Sequence, residues 1–172
     1  GRHGVAPGLQ ITGWKIPATT SPVCGTVILF HGNAQNMSNH LFGVSWLPAA
    51  GYNLFVFDYR GYGKSDGHAV VSSLVGDGEQ VLGEVIKWAD NEAPNGGQSR
   101  IVVYGQSIGG ALATPVVARS KYRDRIAAVI LESSFYSYPG IVREKLGQFF
   151  LTWPLQYPLS WLFYSNFSPA DF

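Results

Sequence analysis

Four short apolar runs constrain the fold of this chain most strongly. Thr26-Val27-Ile28-Leu29-Phe30, Asn53-Leu54-Phe55-Val56-Phe57, Ile101-Val102-Val103-Tyr104 and Ala127-Ala128-Val129-Ile130-Leu131 are each of strand length. None alternates cleanly between apolar and polar residues. A strand with one wet face alternates, whereas an unbroken apolar strand is buried on both faces, as in a parallel sheet covered by helices. The segments between the runs carry a helical period instead. Met37, Leu41, Val44 and Pro48 trace one face of a first helix, Leu74, Val81, Val85 and Trp88 suit a second, and Ile108–Arg119 forms a third. Pro115 falls inside the third, where it removes an amide donor and crowds the carbonyl four residues back, so the helix either kinks there or has a short first segment. Leu9–Ile16, with Gln10 and Thr12 interleaved, predicts an additional edge strand. Strand–helix–strand repetition with short connections predicts an α/β domain: a mostly parallel sheet with helices on both faces and right-handed crossovers. A length of 172 residues suits one domain with a sizeable core.

Several function classes are excluded by composition and spacing. Charges nearly balance at a net of +1 and form no basic stripe, which argues against a nucleic-acid partner. The densest charge cluster, Lys121-Tyr122-Arg123-Asp124-Arg125, mixes signs and reads as a solvated loop. Cys24 is the only cysteine, so no internal disulfide forms and the compartment stays open. No run of about 18 uncharged apolar residues predicts a spanning helix. Without an initiator methionine or a signal peptide, the N-terminus at Gly1 reads as trimmed or processed. Gly63-Lys64-Ser65 resembles the end of a phosphate-binding loop, but Asp58 stands where that loop needs its first glycine. A dinucleotide fingerprint fails because Ser107 occupies the place of the middle glycine. His3, His31, His40 and His68 show no ligand spacing with carboxylates or Cys24, so neither a metal nor another cofactor is expected.

The strongest chemical signal is Gly105-Gln106-Ser107-Ile108-Gly109-Gly110, which follows a predicted strand and opens a predicted helix. A serine on so sharp a turn takes a strained backbone conformation, and its neighbours two positions away must be small. The turn lifts the hydroxyl clear of the sheet, and the helix N-terminus aims free amides at the same spot. A glycine-rich turn with an ordinary serine is the plainer reading of this motif, and the flanking strand and helix favour a nucleophile over it. A second feature agrees. His31-Gly32-Asn33-Ala34 follows the strand ending at Phe30. Acyl transfer needs two amides aimed at an oxyanion. The first expected donor is the N–H of Ile108; the second comes from the loop after Phe30, at Asn33 or Ala34. The His31 imidazole reads as a structural group holding that loop rather than as the base.

These two motifs, with Asp58-Tyr59-Arg60-Gly61-Tyr62-Gly63-Lys64-Ser65 between them, resemble the α/β-hydrolase family, in the branch of serine esterases, thioesterases and acyl hydrolases. The resemblance runs from about Leu9 to Ser168-Pro169-Ala170-Asp171. It implies an α/β-hydrolase fold in which Ser107 is the nucleophile of a hydrolase cleaving carboxylic esters or thioesters through an acyl-enzyme. Asp58 and Arg60 read as a structural loop pair at the carboxyl edge of the sheet. In this fold the acid and then the histidine follow the serine in the chain. No histidine follows Ser107, and the downstream carboxylates are Asp124, Glu132, Glu144 and Asp171. The expectation is therefore that residues 1–172 form one incomplete domain of a longer protein, with the catalytic acid and histidine and the last strands outside it. Such a sheet would expose a hydrophobic edge. Glu132, after the fourth apolar run, is either an acid of a variant triad or a structural residue.

In the family, a lid or cap occupies the place of residues 137–165. The aromatic stretch 149–164 either walls an acyl chain or touches a membrane peripherally, or it is ordinary packing over the sheet. The expected partner is a small-molecule or lipid-like acyl ester. A non-catalytic scaffold on the same fold, or an acyltransferase, are the competing functions.

Overall fold

The computed structural model describes residues 2–6, 9–33, 36–93 and 97–172, the first stretch by its backbone alone. Its strands are β1 (Arg2–Ala6), β2 (Leu9–Ile16), β3 (Gly25–Phe30), β4 (Tyr52–Phe57), β5 (Ile101–Gln106) and β6 (Ile126–Glu132). Its helices are α1 (Met37–Val44), α2 (Val71–Asn91), α3 (Ile108–Arg119), α4 (Tyr138–Gly147) and α5 (Gln156–Ser160). The strands lie in the order β1-β2-β4-β3-β5-β6. Pairs β3–β4, β3–β5 and β5–β6 are parallel, while β2 joins β1 and β4 antiparallel. The fold is α/β, with helices on both faces of a mostly parallel sheet.

Burial of β3 and β4 explains their unbroken apolar character. Successive side chains of a strand point to opposite faces. Ile28, Phe30, Phe55 and Phe57 enter one core with residues of α2 and α3. Val27, Leu29, Leu54 and Val56 enter a second core with Met37 and Val44 of α1. Leu74, Val81, Val85 and Trp88 of α2 are all buried, as their spacing predicts. The helix α3 runs through Pro115 without interruption from Ile108 to Arg119, so it contains no separate short first segment.

Two expectations need correction. Leu9–Ile16 is a strand but not an edge, because β1 pairs along its outer side in register from Arg2↔Thr12 to Ala6↔Leu9. The run Ala127 to Leu131 is not buried on both faces. Among the described residues β6 pairs with β5 alone, and Val129, Ile130 and Leu131 stay 42%, 46% and 50% exposed. Beyond β6, residues 137–165 form α4, α5 and short 3-10 turns, with Phe150, Leu151, Trp161 and Leu162 largely exposed. Among the described residues no helix is long and apolar enough to cross a membrane.

Candidate active site

The turn between β5 and α3 is held at the Ser107 main chain by hydrogen bonds from three residues. Ser107 has φ 54° and ψ −121°, a backbone conformation that a residue with a Cβ rarely adopts. Its amide donates to the carbonyl of Glu132 at 2.8 Å. Its carbonyl accepts from the Gly110 amide at 3.0 Å and from the Ser134 hydroxyl at 3.1 Å. The flanking glycines are required by close approach. A Cβ on Gly105 would lie 2.5 Å from the Gly110 Cα, and one on Gly109 would strike the main chain of Phe30. The second contact is with β3 rather than with the turn itself, a reason that the motif alone does not disclose.

The loop after β3 lies against this turn. The His31 ring is fully buried, with Nδ1 2.8 Å from the Gly32 carbonyl oxygen and Nε2 3.6 Å from Asp58 Oδ1, too long for a hydrogen bond. Burial holds its pKa below the usual imidazole value. It stacks on His40 with ring centroids 5.2 Å apart, and Tyr59 donates its hydroxyl to the His31 carbonyl at 2.9 Å. This is the geometry of a loop-holding residue. Asn33 accepts from the Tyr62 hydroxyl at 2.9 Å. Ala34 lies outside the described residues. Asn33, Ser107 and Ile108 together line an open cleft of about 1050 Å³, bordered also by residues 133–138 and 140–145 and by Phe163. Phe163 is the one residue of 149–164 that reaches this cleft among its described lining.

Gly32 and Tyr62 belong to motifs that the sequence singled out but carried no role of their own there, and Ser134 was in no motif. Each matters through a contact with a distant segment. Asp58 and Arg60 are structural, but each bonds away from the loop. Asp58 Oδ1 accepts from the Met37 amide at 2.6 Å at the start of α1, and Arg60 forms a two-point pair with the buried Asp77 of α2. A Cβ on Gly63 would fall 2.0 Å from Asp58 Oδ2, so the loop is packed around its own carboxylate and not around a phosphate. Glu132 accepts from Gln106 Nε2 at 3.1 Å and from the Tyr104 hydroxyl, which the carboxylate pushes up to about 12. Among the described residues no three His, Cys, Asp or Glu side chains converge as metal ligands would.

Residues 21–165 match the family model described as serine aminopeptidase, S33. The chain belongs to this family of α/β-hydrolases. Within it, the chain is similar to the uncharacterized protein YfhR of Escherichia coli K12, at 42% identity over 142 residues, 81% of this chain and 48% of that protein. It is 39% identical to the protein bem46 of Schizosaccharomyces pombe over 118 residues, 68% of this chain and 37% of that one. The chain thus spans less than half the length of these curated relatives. Solved structures agree on the fold. A monoglyceride lipase from Saccharomyces cerevisiae superposes with a TM-score of 0.67 at 20% identity, covering 88% of this chain and 53% of the lipase. The Pyrococcus furiosus esterase Pf2001 gives 0.64 at 23% identity, covering 94% and 60%.

Proposed function

We propose that Ser107 is the nucleophile of a serine hydrolase that cleaves carboxylic esters or thioesters. The amides of Asn33 and Ile108 form the oxyanion hole. The observation that carries this reading is the strained Ser107 turn opening into one cleft with Asn33 and Ile108. Backbone strain held in place by surrounding contacts marks sites where geometry serves chemistry, and Ser133, with φ 50°, lines the same cleft. The first turn of α3 leaves main-chain N–H groups without partners inside the helix, ready for negative charge.

In the reaction, Ser107 Oγ bonds to the acyl carbon while its proton passes to a general base. The tetrahedral oxyanion collapses and expels the alcohol or thiol, which takes that proton. Water then attacks the acyl-enzyme and frees Ser107. The base and its acid are assigned to neither His31 nor the other described residues. In this fold they follow the nucleophile in the chain, and no histidine follows Ser107 within these 172 residues. The cleft admits an acyl ester, and the exposed apolar side chains of 149–164 suit contact with a lipid-like substrate or its membrane surface.

A fluorophosphonate probe on the full-length protein tests the assignment. Labelling of wild type that is lost in Ser107→Ala supports it. An unlabelled wild-type protein would instead indicate a binding role on a hydrolase scaffold. Product analysis then sorts the chemistry. Free acid from esters is expected, transfer to an added alcohol would make the protein an acyltransferase, and preference for aminoacyl amides would follow the family's name.

A further inference from the structure

One polar chain crosses the sheet directly beneath the Ser107 turn. Gln106 precedes Ser107 and lies in register with Glu132 on the neighbouring strand. Its Nε2 donates to Glu132 Oε2 at 3.1 Å, and its Oε1 lies 2.8 Å from His40 Nδ1. Three elements far apart in sequence thereby meet: α1, the end of β5 and the end of β6.

The direction of every bond in this chain is determined. An ionised carboxylate only accepts, so Gln106 must turn its NH₂ toward Glu132 and its oxygen toward His40. The Tyr104 hydroxyl likewise donates to Glu132. His40 Nδ1 faces that oxygen as the donor of the pair. The link between His40 and Gln106 is partly buried, while Glu132 faces solvent.

The buried end abuts the loop that contains Asn33. A Cβ on Gly32 would lie 3.1 Å from His40 Cε1, 3.6 Å from the Gln106 carbonyl oxygen and 3.6 Å from the Ser107 Cβ. Gly32 is thus pressed between His40 and the serine turn. At the other end, Glu132 holds the turn twice: its side chain takes Gln106 and its carbonyl takes the Ser107 amide.

We propose that His40, Gln106 and Glu132 are positioning residues that hold the Ser107 hydroxyl in register with the Gly32–Asn33 loop. This rests on the reading of Ser107 as the nucleophile. None of the three touches substrate in this proposal. They set the separation between the attacking oxygen and the oxyanion donors, on which rate depends steeply. Glu132 serves here as an anchor and not as the acid of a triad.

The test compares kcat, KM and the rate of fluorophosphonate labelling in the full-length protein, with thermal unfolding as the check on folding. Gln106→Met removes both links at similar volume. It should lower kcat and the labelling rate about 10- to 100-fold with KM within about twofold. Gln106→Glu sets two carboxylates side by side and should be at least as damaging, whereas Glu132→Gln alone keeps an accepting oxygen at the place of Oε2 and should stay within about threefold of wild type. The double variant Q106E/E132Q again sets a donor opposite each acceptor, with the bond between positions 106 and 132 reversed. The new carboxylate at position 106 accepts from His40 and from the new NH₂ at position 132, which takes the place of Glu132 Oε2 and gives its second hydrogen to the Tyr104 hydroxyl oxygen. It should recover to within about threefold of wild type, a rescue read as a double-mutant cycle.

An unchanged kcat in folded Gln106→Met overturns the inference. So does a folded double variant as slow as Gln106→Glu. If Gln106→Met does not fold, the double variant decides. A wild-type protein that the probe does not label overturns the nucleophile reading itself and this inference with it, whereas labelled wild type with equally labelled variants overturns the inference alone.

Discussion

A methyl group on Gly109 would stand 1.9 Å from the carbonyl oxygen of Phe30 and 2.5 Å from that of His31. The helix that follows Ser107 is thus seated directly on the end of β3. Neither carbonyl is the flexible end of a side chain, so nothing there yields cheaply. Gly109→Ala should cost about 3 kcal/mol or more, at the upper end for an overpacked core. Gly43, in α1, has nothing within 4 Å of its absent Cβ. There Gly→Ala should stabilise by up to about 1 kcal/mol, through helix propensity alone. Urea unfolding of both variants checks the contrast; similar midpoints would deny the close seating of α3.

The φ of 54° at Ser107 makes a second prediction in stability rather than activity. Alanine removes the hydroxyl but keeps the Cβ and its strain. Glycine removes both. Ser107→Gly should therefore be more stable than Ser107→Ala by about 1 kcal/mol, even after glycine's greater entropy in the unfolded chain is counted. Both should lose probe labelling. A glycine variant no more stable than the alanine one would mean that the turn is relaxed.

His31 gives the fold a dependence on pH whose sign follows from its burial. Its folded pKa lies below the value of about 6.5 that it has when unfolded. Above about pH 6.5 both states are neutral and the buried ring costs nothing in protonation. As pH falls below that value, the unfolded chain binds the proton first, so stability declines until the folded pKa is passed. His31→Gln removes this titration and also a well-packed ring. The variant should be less stable than wild type at pH 7.5, with the gap narrowing at pH 5. One group contributes at most about 1.4 kcal/mol per pH unit. A gap that is constant or widens on acidification would contradict the assignment.

How much of this was legible in sequence depends on the range of the contacts involved. The strands β3, β4 and β5 and the faces of α2 were readable because apolar period is a local property, and so was the Ser107 turn, whose glycines are adjacent to it. Two strands were misjudged for the same physical reason. Whether a strand is an edge, as with Leu9–Ile16, or covered, as with Ile126–Glu132, depends on its neighbours and not on its residues. The tie from His40 through Gln106 to Glu132 spans 66 and 26 residues and was not foreseen. A signal was present, however. Gln106 and Glu132 are polar residues ending apolar runs on strands that the fold makes neighbours, and polar groups so placed need partners.

Phe163 connects the aromatic stretch to chemistry. It lines the cleft beside Ser107 and Ile108, while Phe150 is 92% exposed and outside that lining. If an acyl chain extends from Ser107 along the cleft, Phe163 covers it and Phe150 does not. Phe163 is itself 53% exposed, so only part of its apolar surface is available, roughly 1 kcal/mol of contact for a chain long enough to reach it. Phe163→Ala should then lower kcat/KM for an octanoyl ester about fivefold. An acetyl ester, too short for the contact, should stay within about twofold, and Phe150→Ala should leave the ratio of the two esters unchanged. Equal losses on both chain lengths would assign Phe163 to packing of the segment, and the acyl chain would have to leave Ser107 by another route.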